Sequence, residues 1–270
     1  MRNNTTQQQR GFTMIELIMV IVIMGVIGGM VAVFMKRPID AYFDSARRAA
    51  LTDVADTTVR RMARDIRKAL PNSVRVPNSQ CLEFIPTKAG GRYRAEETVA
   101  GDDTSLNFAA ADSTFNMLGS NNALPVNQRI VQDDVIAVYN LGVTGSDAYN
   151  QDNTSRVLAA PVDGAETRIS IDSKLFPVAS GGNRFHVIPS NEKIVAYVCN
   201  GGKMYRTASS TFISACPATG SVLGDKVSSC NFVYNGSDLQ RNALVQLTVK
   251  FTDSNETVSL YHEVHVDNTP

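Results

Sequence analysis

The residues best placed to do chemistry lie in one short stretch, Arg10-Gly11-Phe12-Thr13-Met14-Ile15-Glu16-Leu17. They open an apolar run that continues to Met35, and Glu16 is its only charged member. A carboxylate in hydrocarbon is costly and persists where a partner compensates it, so Glu16 marks a candidate interaction site.

Other chemistry-bearing residues are less promising. His262-Glu263-Val264-His265 invites a metal reading but lacks the H-E-x-x-H spacing that puts two histidines on one helix face, and in a strand positions three apart point to opposite faces. His186 is only one further candidate ligand. The loop Gly145-Ser146-Asp147-Ala148-Tyr149-Asn150-Gln151-Asp152-Asn153 offers oxygen atoms at the close spacing calcium uses, but it departs from the EF-hand pattern, and Asp and Asn dominate ordinary turns. No metal and no cofactor are expected. There is no G-x-S-x-G, no phosphate-cradling glycine loop and no cysteine with a base beside it, so the expectation is that the chain is not an enzyme.

The elements that position Glu16 follow from composition. At about 1.5 Å per residue, a helix from Phe12 to Met35 reaches about 36 Å, enough for a hydrocarbon core of about 30 Å. No small-x-small cleavage site follows Met35, so the segment is expected to stay attached. Upstream, MRNNTTQQQRG carries Arg2 and Arg10 and no acid, which suits the cytoplasmic side. The run has no internal proline; Pro38 comes just after it, and Gly25, Gly28 and Gly29 are its weak points as a helix.

Residues 39–70 continue as an amphipathic helix, with Phe43, Ala46, Ala50, Val54, Met62, Ile66 and Leu70 on one side and Pro71 as the stop. The opposite face holds Arg47, Arg48, Arg60, Arg61, Arg64, Arg67 and Lys68 against Asp53, Asp56 and Asp65. Such a face is ordinarily solvated; its sharper use is to meet an acidic partner subunit or, more weakly, DNA. The pattern then shifts to period two, with strands expected at Leu82–Ile85, Val135–Tyr139, Thr167–Ile171, Arg184–Ile188, Ile194–Cys199 and Ser229–Tyr234. Asn200-Gly201-Gly202 signals a turn into Lys203–Arg206. A C-terminal hairpin alternates Val245, Leu247, Val249 and Phe251, turns at Asp253–Glu256 and resumes with Val258, Leu260, Val264 and Val266. Residues 86–134 and 140–165, rich in Gly, Asn, Asp, Ser and Thr, are expected as long loops, with a sub-lobe near 95–165.

With 43% hydrophobic and 19% charged residues and a formal net charge of +0, the chain has the make-up of a folded neutral protein, and nucleic acid is not expected as its main partner. The predicted division is leader 1–11, membrane or filament-core helix 12–37, amphipathic stem helix 38–71 and an antiparallel β-rich domain 72–270, an α+β architecture.

Gly11 followed by Phe12-Thr13-Met14-Ile15-Glu16 resembles the prepilin peptidase site of type IV pilins and type II secretion pseudopilins. The resemblance implies cleavage between Gly11 and Phe12, N-methylation of Phe12, and pairing of Glu16 with the Phe12 amine of a neighbouring subunit in a filament. It also implies a single-pass inner-membrane protein with a periplasmic C-terminal domain. Its partners would be the prepilin peptidase, an inner-membrane assembly platform, and the major pilin and other minor pilins of the filament. The prepilin start, basic stem, sheet domain and C-terminal Tyr261–Pro270 together are similar to the branch that groups J-type pseudopilins, PilW-type minor pilins and MSHA pilus-biogenesis pilins. Three functions are compatible with that branch: a minor pilin initiating an MSHA-type pilus, a J-type pseudopilin of a secretion system, and a tip adhesin or DNA-binding module.

Export would make the four cysteines two disulfides, and three pairings are possible. Cys199 ends a strand before the Asn200-Gly201 turn and Cys216 follows the returning strand, which favours Cys199–Cys216 and leaves Cys81–Cys230.

Overall fold

The computed structural model describes residues 11–213, 216–236 and 242–270; the expected leader falls almost entirely outside them. One helix, α1, runs from Met14 to Ile66. By compactness the chain forms two units, Met1–Ala50 and Leu51–Pro270.

In the first unit the apolar side chains from Phe12 to Met35 are exposed, and the helix passes through Gly25, Gly28, Gly29 and Pro38. Proline lacks the N–H that would reach the carbonyl of Phe34, so Pro38 weakens the ladder at the expected border between span and stem without ending the helix. Asp44 and Arg47, one turn apart, form an ion pair.

In the second unit α1 buries Leu51, Ala55, Thr58, Val59, Met62, Ala63 and Ile66, one face at helical spacing. The strands are β1 (Arg75–Asn78), β2 (Cys81–Phe84), β3 (Ala89–Arg92), β4 (Asp112–Leu118), β5 (Val135–Ala137), β6 (Thr154–Arg156) and β7 (Glu166–Lys174). They continue with β8 (Arg184–Ile188), β9 (Ile194–Asn200), β10 (Lys203–Ser209), β11 (Ser221–Asp225), β12 (Val227–Asn235), β13 (Asn242–Asp253) and β14 (Glu256–Asp267). A five-stranded sheet of order β1-β2-β9-β10-β11 and a three-stranded sheet β12-β13-β14 share one core with α1. Phe84 and Tyr197 stack there beside Met62, Met204, Phe232 and Phe251.

The sheet β3-β8-β5-β6 and the pair β4-β7 enclose a second core of Tyr93, Phe115, Met117, Ile136, Ile169, Phe176 and Phe185. Much of this lies where sequence suggested loops. Residues 86–134 and 140–165 contain β3, β4 and β6, whose three to seven residues carry too few apolar positions to stand out among turn-forming neighbours. In β4, Phe115 and Met117 point inward and flank a half-buried Asn116.

The helix ends at Ile66, a turn earlier than Pro71 implied. Leu70 instead donates its N–H to the Ile85 carbonyl (2.8 Å), and Ala69 bridges Pro86. The last apolar residue of the helical pattern is thus drawn into sheet pairing. Both expected hairpins are present. Asn200 pairs with Lys203 across Gly201 and Gly202, both with positive φ, as a two-residue turn with right-handed strand twist requires. Asp253 pairs with Glu256 across Ser254 and Asn255.

The disulfides exchange partners relative to expectation: Cys81 is joined to Cys216 and Cys199 to Cys230. The cause is the parity of one strand pair. In β2·β9, Cys81 sits opposite Val198, so the two share a face, and Cys199, one residue on, points through the sheet to the other. The Cys199 side faces α1 and β12, where Cys230 lies; the Cys81 side carries Ala196, Val198 and Cys216. Cys199–Cys216 would have to cross the sheet.

Candidate functional site

At the start of α1, Thr13 and Glu16 form a reciprocal cap. The Thr13 backbone N–H and Oγ1 both donate to Glu16 Oε2 (3.1 Å each), and the Glu16 N–H donates to Thr13 Oγ1 (3.4 Å). Threonine before the first turn and glutamate three residues later satisfy two N–H groups that the helix start otherwise leaves unpaired. Carboxylate at a helix N-terminus is also favoured by the positive end of the backbone dipole. The T-x-x-E spacing was present in the sequence as a capping signature, but the role of Thr13 emerges only from the geometry.

Gly11 and Phe12 precede this cap and are exposed. A Cβ built on Gly11 would meet nothing within 4 Å, and its backbone is not in the left-handed region. Nothing among the described residues requires glycine at 11. The helix beyond is apolar around its whole circumference with none of its most hydrophobic stretch buried, a surface suited to lipid or to other helices.

The remaining candidates are not assembled into a site. His262 and His265 lie three apart on β14, one half-buried and one exposed, on opposite faces. His186 is on β8; burial, then the charge of Arg184, pushes its pKa below 6.5, and Asp267 opposes them. In the acidic loop, Asp147 is paired with Arg75 (2.6 Å) and accepts from the Tyr149 N–H, while Asp152 accepts from the N–H groups of Gly145 and Asp147. The loop's carboxylates thus hold its own backbone. Among the described residues no three His, Cys, Asp or Glu side chains are grouped to hold a metal ion.

On the basic face of α1, Arg60 pairs with Asp56 and Asp65 is drawn away from the stripe: Tyr197 Oη donates to it (2.7 Å) and Arg206 Nε binds it (2.9 Å). Arg206 also forks onto both oxygens of Glu192. Burial, followed by the neighbouring Asp65 carboxylate, raises the Tyr197 pKa well above its ordinary value. This network, not evident from sequence, fixes the end of the helix to β9 and β10. Arg206, Asp65 and Glu192, with Lys68, Lys88 and His186, line a cleft of about 580 Å³.

Residues 6–32 match the prokaryotic N-terminal methylation motif, the signal of type IV pilin-like proteins, over 27 of the 270 residues. No curated protein and no solved structure matches the chain. The motif, the apolar helix and the antiparallel sheets together support a type IV pilin-like protein. That class associates with other pilins and with a prepilin peptidase, and the helix is consistent with membrane anchoring and incorporation into a filament.

Proposed function

We propose that the chain is a minor pilin of the MshO kind, without catalytic activity, that joins other minor pilins to initiate an MSHA-type pilus near its tip and so supports surface attachment. In this reading prepilin peptidase cuts between Gly11 and Phe12, Phe12 is N-methylated, and the C-terminal unit faces the periplasm. The observation that carries it is the pairing of a capped Glu16 with an apolar helix exposed on every side. A carboxylate tolerates that setting when a cationic group arrives, and the new Phe12 amine of an adjacent subunit is such a group.

The Thr13–Glu16 cap gives Glu16 a resting partner before assembly. In the filament the carboxylate exchanges that hydrogen bond for an ion pair. Glu16→Ala should therefore be cleaved normally yet assemble poorly, scored by immunoblot for processing and by pilus counts for assembly. Wild-type pilus numbers from Glu16→Ala overturn the assembly role.

A further inference from the structure

β14 is the outer strand of its sheet: among the described residues it pairs with β13 alone. Its twelve residues keep register from Asp253↔Glu256 to Asn242↔Asp267 without a bulge. Natural sheets protect such edges with proline, lysine, bulges or short strands. The sequence ETVSLYHEVHVD has no proline, lysine or arginine, and the strand spans about 40 Å at about 3.4 Å per residue.

Two hydrogen bonds fix which backbone groups face outward. The Thr252 N–H donates to Lys226 and the Phe232 N–H to Ser79. Even-numbered residues of β13 therefore bond toward β12 and odd-numbered ones toward β14. Opposite them, Val258, Leu260, His262, Val264 and Val266 use their backbone groups in the ladder. Thr257, Ser259, Tyr261, Glu263, His265 and Asp267 point theirs away from the sheet.

Side chains add a second and third requirement. On the core side Val264 and Val266 are buried, but Val258 and Leu260 are only partly covered, so the apolar surface extends to the edge. On the other side the strand displays Asp267, Glu263, which accepts from Tyr261 Oη, and an exposed Tyr261 (57%); among the described residues neither carboxylate is in an ion pair, and the nearest exposed lysine on that face, Lys250 of β13, stands opposite Ser259.

We infer that the free edge of β14 receives an extended segment of a partner subunit by strand addition. The segment alternates apolar residues toward the α1 side with lysine or arginine toward the solvent side. Backbone bonds supply the attachment, the apolar positions complete the cover over Val258 and Leu260, and the basic positions meet the carboxylates. A second copy of the chain is a poorer occupant, because it would bring the same carboxylates to the same edge. The inference rests on the assembly role proposed above, but its test uses a peptide and does not depend on filament formation.

The full-length protein in detergent micelles is mixed with a fluorescent ten-residue peptide alternating valine with lysine and threonine. The control peptide carries glutamate in place of lysine. Anisotropy reports binding, and hydrogen exchange reports protection within residues 256–267. The lysine peptide should bind at least tenfold more tightly and protect the outward-facing amides. Ser259→Pro should abolish both effects, because its N–H lies outside the β13 ladder and its loss leaves the fold intact, checked by thermal melting. Should that variant unfold, Tyr261→Lys serves instead and should weaken the lysine peptide by charge. Equal binding of the two peptides, binding unaffected by either substitution, or concentration-dependent protection without peptide would each overturn the inference; the last would make a second copy the occupant.

Discussion

Removing the Cys81–Cys216 bridge should destabilise the protein more than removing Cys199–Cys230. The first closes 135 residues and the second 31. The loop-entropy relation gives about 5 kcal/mol for the longer closure and about 4 kcal/mol for the shorter, a difference of about 1 kcal/mol. The perturbation is the paired substitution Cys81→Ala with Cys216→Ala, compared with Cys199→Ala with Cys230→Ala. Denaturant unfolding gives the two stability losses. Thiol labelling of the unfolded, unreduced proteins tests connectivity independently: each double variant should show no reactive thiol, because its remaining bridge is intact. Two reactive thiols in the Cys81/Cys216 variant would mean that Cys199 and Cys230 had lost their true partners, and would refute the parity argument.

Met62→Ala, at a fully buried position between α1 and the sheets, should cost about 2 to 5 kcal/mol by denaturant unfolding. Thr13→Val removes the hydroxyl half of the Glu16 cap and should weaken the helix start by about 1 kcal/mol, read as faster amide exchange at residues 14–16 with unchanged exchange further along. Asp163 is held down to about 2, first by Ser120 and then by Thr167 and the N–H groups of Asn121 and Asn122. Its folded pKa lies below the unfolded 3.8, so its contribution is present above that pH and is lost as pH falls through about 2; Asp163→Asn should flatten the acid limb of the stability curve there. His186 has the same sign: its lowered pKa makes stability decline as pH drops below 6.5, and His186→Gln should remove that decline in melts between pH 7 and 5.

Strands with several alternating apolar residues were legible in the sequence. Both late hairpins, the turn at Gly201-Gly202 and the run Arg184–Ile188 show the periodicity on which such reading depends. Where a strand has one or two inward positions, as in β3 and β6, turn-forming neighbours mask it, and the second core around Phe115 and Phe185 goes unseen. The disulfide pairing was beyond chain order because it depends on which face of β9 each cysteine occupies, and a shift of one residue reverses the face. The candidate site residues Gly11, Phe12 and Glu16 lie within one six-residue stretch, so proposing them together requires no tertiary fold. Thr13 was missed because it caps the helix start through its hydroxyl and backbone N–H, a structural role that attention to titratable and reactive side chains passes over.

The central claim is tested most directly by the mass and N-terminal sequence of the protein purified from cells making the filament. A chain beginning at Phe12, heavier by one methyl group than the unmodified sequence, is the expected result, with Gly11→Val retaining the residues before Phe12. A wild-type chain that still begins at Met1, or a Gly11→Val chain that matures normally, would contradict the account.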